Sequence, residues 1–355
     1  MNPAIGIVGH FAHGLDYNDG QTQKTRHLAR LLAARYGADS LRLVDTHGWT
    51  RHPWQLWRDC RALAADVRHI LILPAHNGVR VFVPFFASLA RRHPQLRLSY
   101  VVIGGWLPEL VSRRPRLLQQ LESFHAILVE TRVMLTRLQQ MGLGNVRILR
   151  NMRRFTPLAE DALVYPQTAP WRFAIFSRLN EQKGITDAID AVLQVNRRLA
   201  PQGEAAVWLN IYGPVEDSYR DGFHRALSRA EAEWPEAVTW HREIPAEKAI
   251  ETLAGHFALL FPTRYRTEGI PGTIIDAYAA GLPVLASRWE AFEDVVEEGV
   301  TGLGYEFGSR EALEKLILYS IQNAYQINAM RPACLSRSRD FLPESVLPVL
   351  EEVLA

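Results

Sequence analysis

Residues 261–284 read Phe-Pro-Thr-Arg-Tyr-Arg-Thr-Glu-Gly-Ile-Pro-Gly-Thr-Ile-Ile-Asp-Ala-Tyr-Ala-Ala-Gly-Leu-Pro-Val, the signature of a strand end, a loop, a helix and a stop. The apolar run Leu259–Phe261 ends the strand, and Pro271 suits the first turn of a helix because its missing N–H has no intrahelical acceptor there. Gly281 and Pro283 end that helix, and Val284–Ala286 begins the next strand. The amides of Gly272, Thr273 and Ile274 are expected to stay free at the helix start and to form an anion site that needs no metal. Gly269 lies in the same loop. Glu268 precedes the helix and Asp276 lies inside it, so the two acids can address different parts of one extended ligand. An acid near a helix N-terminus is also mildly stabilising in its own right.

Outward from this stretch, short apolar runs alternate with longer amphipathic ones. Ile5–Val8, His69–Leu73, Leu98–Ile103, Ala126–Val129 and Val146–Leu149 read as buried parallel strands. Helices are expected between them over Thr22–Tyr36, Trp54–Ala65, Val81–Arg92, Arg116–Phe124 and Arg132–Met141. The pattern weakens over Arg153–Pro170 and restarts with strands Phe173–Phe176, Ala206–Tyr212 and Val238–His241 before Leu259. Helices Ile185–Leu199, Asp221–Glu233, Ala246–Leu253, Thr273–Ala280, Arg310–Asn323 and Glu344–Leu354 complete the reading. Such alternation defines an α/β chain of two Rossmann-like, doubly wound domains, over residues 1–155 and 171–335. Residues 156–170 are the expected linker and 336–355 a C-terminal helix. A ligand is expected at the carboxyl ends of both sheets, in a cleft between the domains.

The 355 residues carry a formal charge of only +2, which argues against a dedicated nucleic-acid binder. The sum hides +11 over residues 1–150 and −9 over 151–355, so the two halves are expected to meet different partners. Only four of the 40 basic side chains are lysines, which singles out Lys24 and Lys183. Cys60 and Cys334 are too few for a disulfide framework or a cysteine metal cluster, which suits a reducing compartment. The N-terminus lacks a basic n-region, and the longest apolar stretch, around Val81–Ala90, is half of what a membrane helix needs. The expectation is a cytoplasmic protein, at most peripheral to a membrane.

Two further loops carry chemistry. After the first strand come Gly9-His-Phe-Ala-His-Gly14 and Asp19-Gly20-Gln-Thr-Gln-Lys24-Thr-Arg26, where glycine amides and two cations would face an anion. The alternative is a solvated first turn. Neither a Walker A loop nor G-x-G-x-x-G occurs, so P-loop and dinucleotide chemistry lose support. After strand Trp171–Phe176 comes Ser177-Arg178-Leu-Asn-Glu181-Gln-Lys183-Gly184. Arg178 and Lys183 there would stabilise negative charge on a departing pyrophosphate, or Lys183 pairs locally with Glu181 on the surface.

On these motifs, the Leu209-Asn-Ile-Tyr-Gly213 strand end and Gly104-Gly105-Trp106-Leu-Pro-Glu109, the sequence resembles the retaining GT-B glycosyltransferases of family four. Its Asp-Gly-Gln-x-x-Lys-Thr-Arg start is similar to members that build bacterial exopolysaccharide or capsule. The resemblance covers nearly the whole chain. It implies an E-x7-E donor motif in which Glu268 takes the sugar-hydroxyl position, while Asp276, one methylene short, stands where the ribose-binding Glu is usual. Departures also occur where many relatives place a cleft His or Asp: here Gly104-Gly105-Trp106 stands, with Glu109 and His76 as acceptor-side candidates. Trp106 stacks on a sugar or is a core aromatic, and His76 binds the acceptor or is structural.

The resemblance implies transfer of a glycosyl group from a nucleoside-diphosphate sugar with retention. Arg178, Lys183 and Glu268 would do the chemistry. Gly20, Gly213, Arg242, Ile244, Gly269, Gly272, Thr273, Ile274 and Asp276 would bind the donor. No Asp-x-Asp triplet occurs, so no metal or other cofactor is implied. The acceptor is expected to be a saccharide or lipid-linked saccharide, met by the basic half, with Arg91, Arg92, Arg97, Arg113, Arg114 and Arg116 facing an anionic membrane or simply water. Other readings of the same fold are a nucleotide-sugar epimerase, a phosphorylase-type enzyme and a non-catalytic sugar-nucleotide-binding subunit.

Overall fold

The computed structural model describes residues 5–15, 20–199 and 205–355. Asp19 of the first loop lies outside them. The chain divides into two units, residues 1–154 with 341–355 and residues 155–340.

The first unit is a six-stranded parallel sheet of β1 (Ile5–Gly9), β2 (Leu41–Asp45), β3 (His69–Ile72), β4 (Arg97–Val101), β5 (Ala126–Val129) and β6 (Val146–Ile148). Its order is β2-β1-β3-β4-β5-β6, so the strand order reverses between β1 and β3. The helices are α1 (Gly20–Tyr36), α2 (Pro53–Asp66), α3 (His76–Arg92), α4 (Leu107–Ser112), α5 (Pro115–Glu122) and α6 (Arg132–Gln140). β3 and β5 are buried at every position, as strands covered on both faces must be. The sequence reading passed over β2, because an edge strand with the burial pattern of Leu-Arg-Leu-Val-Asp needs no apolar run. It also began α3 five residues late: His76-Asn-Gly78 has turn composition, yet it forms the first turn of the helix.

The second unit holds β7 (Trp171–Phe176), β8 (Val207–Tyr212), β9 (Val238–Trp240), β10 (Ala258–Phe261), β11 (Val284–Ser287) and β12 (Gly302–Tyr305), in the order β12-β11-β10-β7-β8-β9. This is the Rossmann order, with its reversal between β7 and β10. Its helices are α7 (Ile185–Leu199), α8 (Arg220–Glu233), α9 (Ala249–Ala254), α10 (Gly272–Ala279), α11 (Phe292–Val295), α12 (Arg310–Gln322), α13 (Ala324–Ala329) and α14 (Arg331–Ser338). β12 also escaped the sequence reading. Its glycines are required by packing, since a Cβ at Gly302 would sit 2.1 Å from the Val284 carbonyl oxygen.

Residues 156–170, expected as the linker, lie along the second unit. The Leu158 amide donates to Ala279, Asn328 donates to the Pro166 carbonyl, and Leu163 fills the space that a Cβ on Gly281 would occupy. Residues 336–340 also belong to this unit, because α14 is held by its arginine. Arg331 is fully buried and donates to the carbonyls of His256, Phe257 and Gly281. The last helix, α15 (Pro343–Leu354), buries Val346, Leu350, Val353 and Leu354 in the first unit's core with Ile7, Leu28 and Leu128.

Two buried histidines, His69 and His256, and the half-buried His27 are expected to make the fold acid-labile. Burial, aided by Arg153 and Arg30, holds His27 at about 4. Burial beside His125 and Arg97 holds His69 at about 3, and burial holds His256 at about 4. The unfolded chain protonates near the ordinary value of 6.5, so these groups favour the folded state above that pH. Thermal denaturation should show the melting temperature falling as pH drops from 6.5 towards about 4, with a shallower fall in His69→Gln. A flat profile would contradict this.

Candidate active site

In the second unit a pocket opens at the point where the strand order reverses. It is lined by Ile175, Phe176 and Ser177 from the end of β7, Leu260, Phe261 and Pro262 from the end of β10, and Lys183 and Thr273 from the loops that follow. Open α/β sheets bind ligands at this position because the two flanking loops depart to opposite faces and leave a crevice.

Local sequence fixes the Lys183 loop. The Asn180 side chain accepts from the Lys183 amide at 3.2 Å, closing a turn of 3-10 helix. Gly184 then takes a left-handed conformation at φ 67°, where a Cβ would lie 1.9 Å from the Pro262 carbonyl oxygen. The chain can therefore press the Lys183 loop against the end of β10 only with glycine at 184. Lys183 Nζ stands 2.6 Å from Glu268 Oε2 and 5.7 Å from the centre of the Phe261 ring. Their side chains are 23% and 16% exposed, enough for a ligand to reach both groups. The partner of Lys183 is thus Glu268, which lies 85 residues away, and not Glu181.

α10 begins at Gly272 after Pro271. The Ile274 amide, expected to be free, donates to the Pro271 carbonyl at 3.1 Å. The open amides of this first turn are those of Gly272 and Thr273. Two hydroxyls of the residues lining the same pocket, Ser177 Oγ and Thr273 Oγ1, have no partner among the described residues. A buried hydroxyl lacking a partner raises the energy of the empty protein, by about 1–3 kcal/mol each. Ser177 was not among the residues that the sequence reading singled out. Its one sequence signal is its place at a strand end immediately before Arg178.

The remaining donor-side candidates surround this centre unevenly. Arg178 is exposed and has no ion-pair partner among the described residues. Gly269 is buried in the loop beside Glu268. Asp276 is 3% exposed on the second turn of α10, so its carboxylate is far less open than that of Glu268. Gly213, at φ 131°, lies against the end of β7: a Cβ there would meet the Ser177 carbonyl oxygen at 1.8 Å. Its amide donates to the Arg242 carbonyl at 2.7 Å, and its carbonyl accepts from the Trp240 indole at 3.0 Å. Arg242 is left-handed at φ 62° and lies over the Trp240 ring, with Ile244 half-buried beyond it.

In the first unit Gly20 opens α1. Lys24 and Arg26 do not supply the anion site expected of them. Lys24 is buried, pairs with Glu130 at 2.5 Å and donates to the Val102 carbonyl. Arg26 donates to the carbonyls of Phe11, Ala12 and Leu15 and so shapes the loop. Both cations serve the loop's own carbonyls and a buried acid. His76, the first residue of α3, lies edge-on to the Trp106 ring with centroids 5.0 Å apart. Trp106 is half-buried and donates to the Ile103 carbonyl at 2.7 Å, while Glu109 turns outward to pair with Arg113 at 2.9 Å. Two of the three acceptor-side candidates thus meet and the third does not join them. Among the described residues no group of three or more His, Cys, Asp or Glu side chains is arranged to hold a metal ion.

Two six-stranded parallel sheets with these helices define the GT-B glycosyltransferase fold. Residues 171–323, which include the pocket, match the family model described as glycosyl transferases group 1. The chain is 31% identical over 213 residues to the glycogen synthase of Thermus thermophilus, covering 59% of this chain and 42% of that enzyme. It is 27% identical over 267 residues to the amylovoran biosynthesis glycosyltransferase AmsK of Erwinia amylovora, covering 72% of this chain and 58% of AmsK. The match therefore spans about half the length of these relatives. The structure of HepE from Anabaena in complex with UDP and glucose superposes with a TM-score of 0.74 at 16% identity, over 99% of each chain.

Proposed function

We propose that the chain is a retaining glycosyltransferase that moves a hexose from a nucleoside-diphosphate sugar to a saccharide or lipid-linked saccharide in the building of a bacterial surface polysaccharide. The observation that carries this reading is the pocket at the β7/β10 reversal. It is lined by the Lys183 cation and the hydroxyl-bearing Ser177 and Thr273, with the Glu268 carboxylate paired to Lys183 and the first turn of α10 beginning at Gly272, a set that suits a diphosphate and the sugar attached to it. HepE is bound to UDP and glucose in its crystal structure, which favours uridine as the base, and AmsK acts in amylovoran biosynthesis, which favours a surface polysaccharide as the product.

In this reading Lys183, Arg178 and the amides of Gly272 and Thr273 neutralise the leaving diphosphate. These groups supply the positive charge that the reaction needs without a metal. The phosphate takes Lys183 from Glu268, which frees the Glu268 carboxylate for the sugar hydroxyls. A phosphate oxygen of the donor accepts the acceptor proton, so no protein base is required. Asp276 reaches the ribose only once its buried carboxylate is uncovered. Arg242 and Ile244 border the base, Gly20 belongs with the donor-binding residues, and His76, Trp106 and Glu109 serve the acceptor side. The protein acts in the cytoplasm.

The test is a thermal-shift series with UDP, GDP, ADP and their hexose conjugates. A bound ligand raises the melting temperature of the native protein. The same series on Ser177→Ala and Thr273→Val should show two opposed effects. The empty variants melt at or above the wild-type temperature, because an unsatisfied hydroxyl is gone, and their nucleotide shift shrinks. If no nucleotide shifts the wild type, the reading fails. If the empty variants melt well below the wild type, the two hydroxyls are structural.

A further inference from the structure

Lys183 and Glu268 stand on separate loops, and a brace outside the pocket lining ties these loops together. Arg264, in the loop after β10, donates to Asp187 through both arms of its guanidinium. Nε lies 2.7 Å from Oδ2 and Nη2 lies 2.6 Å from Oδ1. Asp187 is in the first turn of α7, where the helix N-terminus favours a negative charge. The backbone of Arg264 closes the brace, since its amide donates to the Gln182 carbonyl at 2.7 Å. The buried Thr263 anchors the same loop from below. Its carbonyl accepts from Ser287 Oγ at 2.6 Å, and its hydroxyl accepts from the Tyr265 amide at 3.1 Å. The Glu268 amide then donates to the Tyr265 carbonyl at 3.2 Å, one tight turn beyond the brace. Lys183 precedes Asp187 by four residues and Glu268 follows Arg264 by four, so the brace flanks both ends of the 2.6 Å pocket contact.

We propose that Arg264 is a positioning residue for the reaction: its two-point contact with Asp187 fixes the loop bearing Glu268 against the turn bearing Lys183. This role rests on the transferase reading of the Lys183–Glu268 pair and names what sets the geometry of that pair. Folding stability does not account for the contact. The Arg264 side chain is 46% exposed, and ion pairs open to water contribute little. The backbones of the two segments are already joined, by the close approach of Gly184 to Pro262 and by the Arg264 amide. What the paired fork adds is direction, because a guanidinium and a carboxylate joined at two points do not swivel about a single bond. Direction is needed at this place. When a phosphate takes Lys183 from Glu268, the contact inside the pocket opens, and the Glu268 loop must stay aimed at the sugar. The Arg264–Asp187 contact lies outside the pocket lining, so it persists when the inner pair separates.

The experiment measures nucleoside diphosphate released by the full chain from whichever of the UDP, GDP and ADP hexoses shifts its melting temperature most. Arg264→Ala and Asp187→Ala should each lower kcat by about 10–10², the loss expected when a reacting group is misplaced by about 1 Å. The loss should fall on kcat rather than on the donor KM, and the melting temperature should stay within about 3 °C of the wild type. The double variant should lose no more than either single one, since the two side chains act as one unit. Arg264→Lys keeps one bond of the fork and should recover part of the rate. In a Lys183→Ala background the cost of Arg264→Ala should shrink by about fivefold or more. If Arg264→Ala does not fold, Asp187→Asn, which keeps one acceptor oxygen in place, carries the same test. Single variants at wild-type turnover overturn the proposal. So does a loss that is equally large without Lys183, or one that appears only with a melting temperature lowered by more than about 6 °C. Wild-type turnover in Lys183→Ala removes the transferase reading and this role with it. A damaged Lys183→Ala beside an intact Arg264→Ala removes the positioning role alone.

Discussion

Lys183→Ala is expected to lower turnover by about 10²–10³, the usual loss when one preorganised charge is removed from a developing anion. The geometry explains why no neighbour would substitute. The Asn180 turn and the close approach of Gly184 to Pro262 fix the lysine backbone, and the side chain is aimed across the pocket at Glu268, 2.6 Å away. Its charge is held ready in a site that a phosphate can enter, so little reorganisation accompanies binding. Lys183→Arg should recover only part of the loss, because a planar guanidinium does not reproduce a compact ammonium between Glu268 and Phe261. Arg178→Ala should reduce turnover to a similar degree, although its exposed side chain makes it the more tolerant position. The measurement is steady-state transfer from the donor that gives the largest thermal shift. Near-normal turnover in both alanine variants would remove the assignment.

The largest effect on stability is expected at the opposite end of the chain, in the pair Lys24–Glu130. Both side chains are nearly inaccessible, at 3% and 4%, and the lysine also donates to Val102. Removing one partner leaves the other charge buried and uncompensated, at a cost of about 3–5 kcal/mol. Lys24→Met and Glu130→Leu should each lower stability by that amount in urea unfolding. The double variant should recover most of the loss, because burying two ions is itself expensive. Two single variants each losing less than about 1 kcal/mol would show that the pair is solvated in solution.

Lys24 also shows where sequence reading stops. Lys24, one of only four lysines, stands out in the sequence beside a glycine-bearing loop, where an anion site and a solvated first turn are both open readings; the structure gives neither. Nothing in the sequence says that Glu130, just past the end of β5, returns to meet it on α1. The same limit applies to Lys183: a carboxylate two residues away was visible, but the partner 85 residues away was not. Ser177 and Thr273 show a related limit. A hydroxyl is silent in sequence, and only the packed structure reveals that two residues lining one pocket carry hydroxyls with no partner among the described residues. Edge strands β2 and β12 escaped because they need neither an apolar run nor β-branched residues when one side of the strand meets water.

The sequence by itself determined the fold class. The strand–loop–helix–stop grammar of residues 261–284, repeated along the chain, depends on local preferences: buried runs for strands, proline and glycine at helix ends. It also determined that the two halves carry opposite charge, a property of composition alone. Only the tertiary structure decided what individual charges do. Burial and long-range pairing turn Lys24 into a structural ion and Lys183 into a pocket cation. Partners of that kind are set by which strands lie side by side, and the order β12-β11-β10-β7-β8-β9 brings the ends of β7 and β10 together across more than eighty residues of chain.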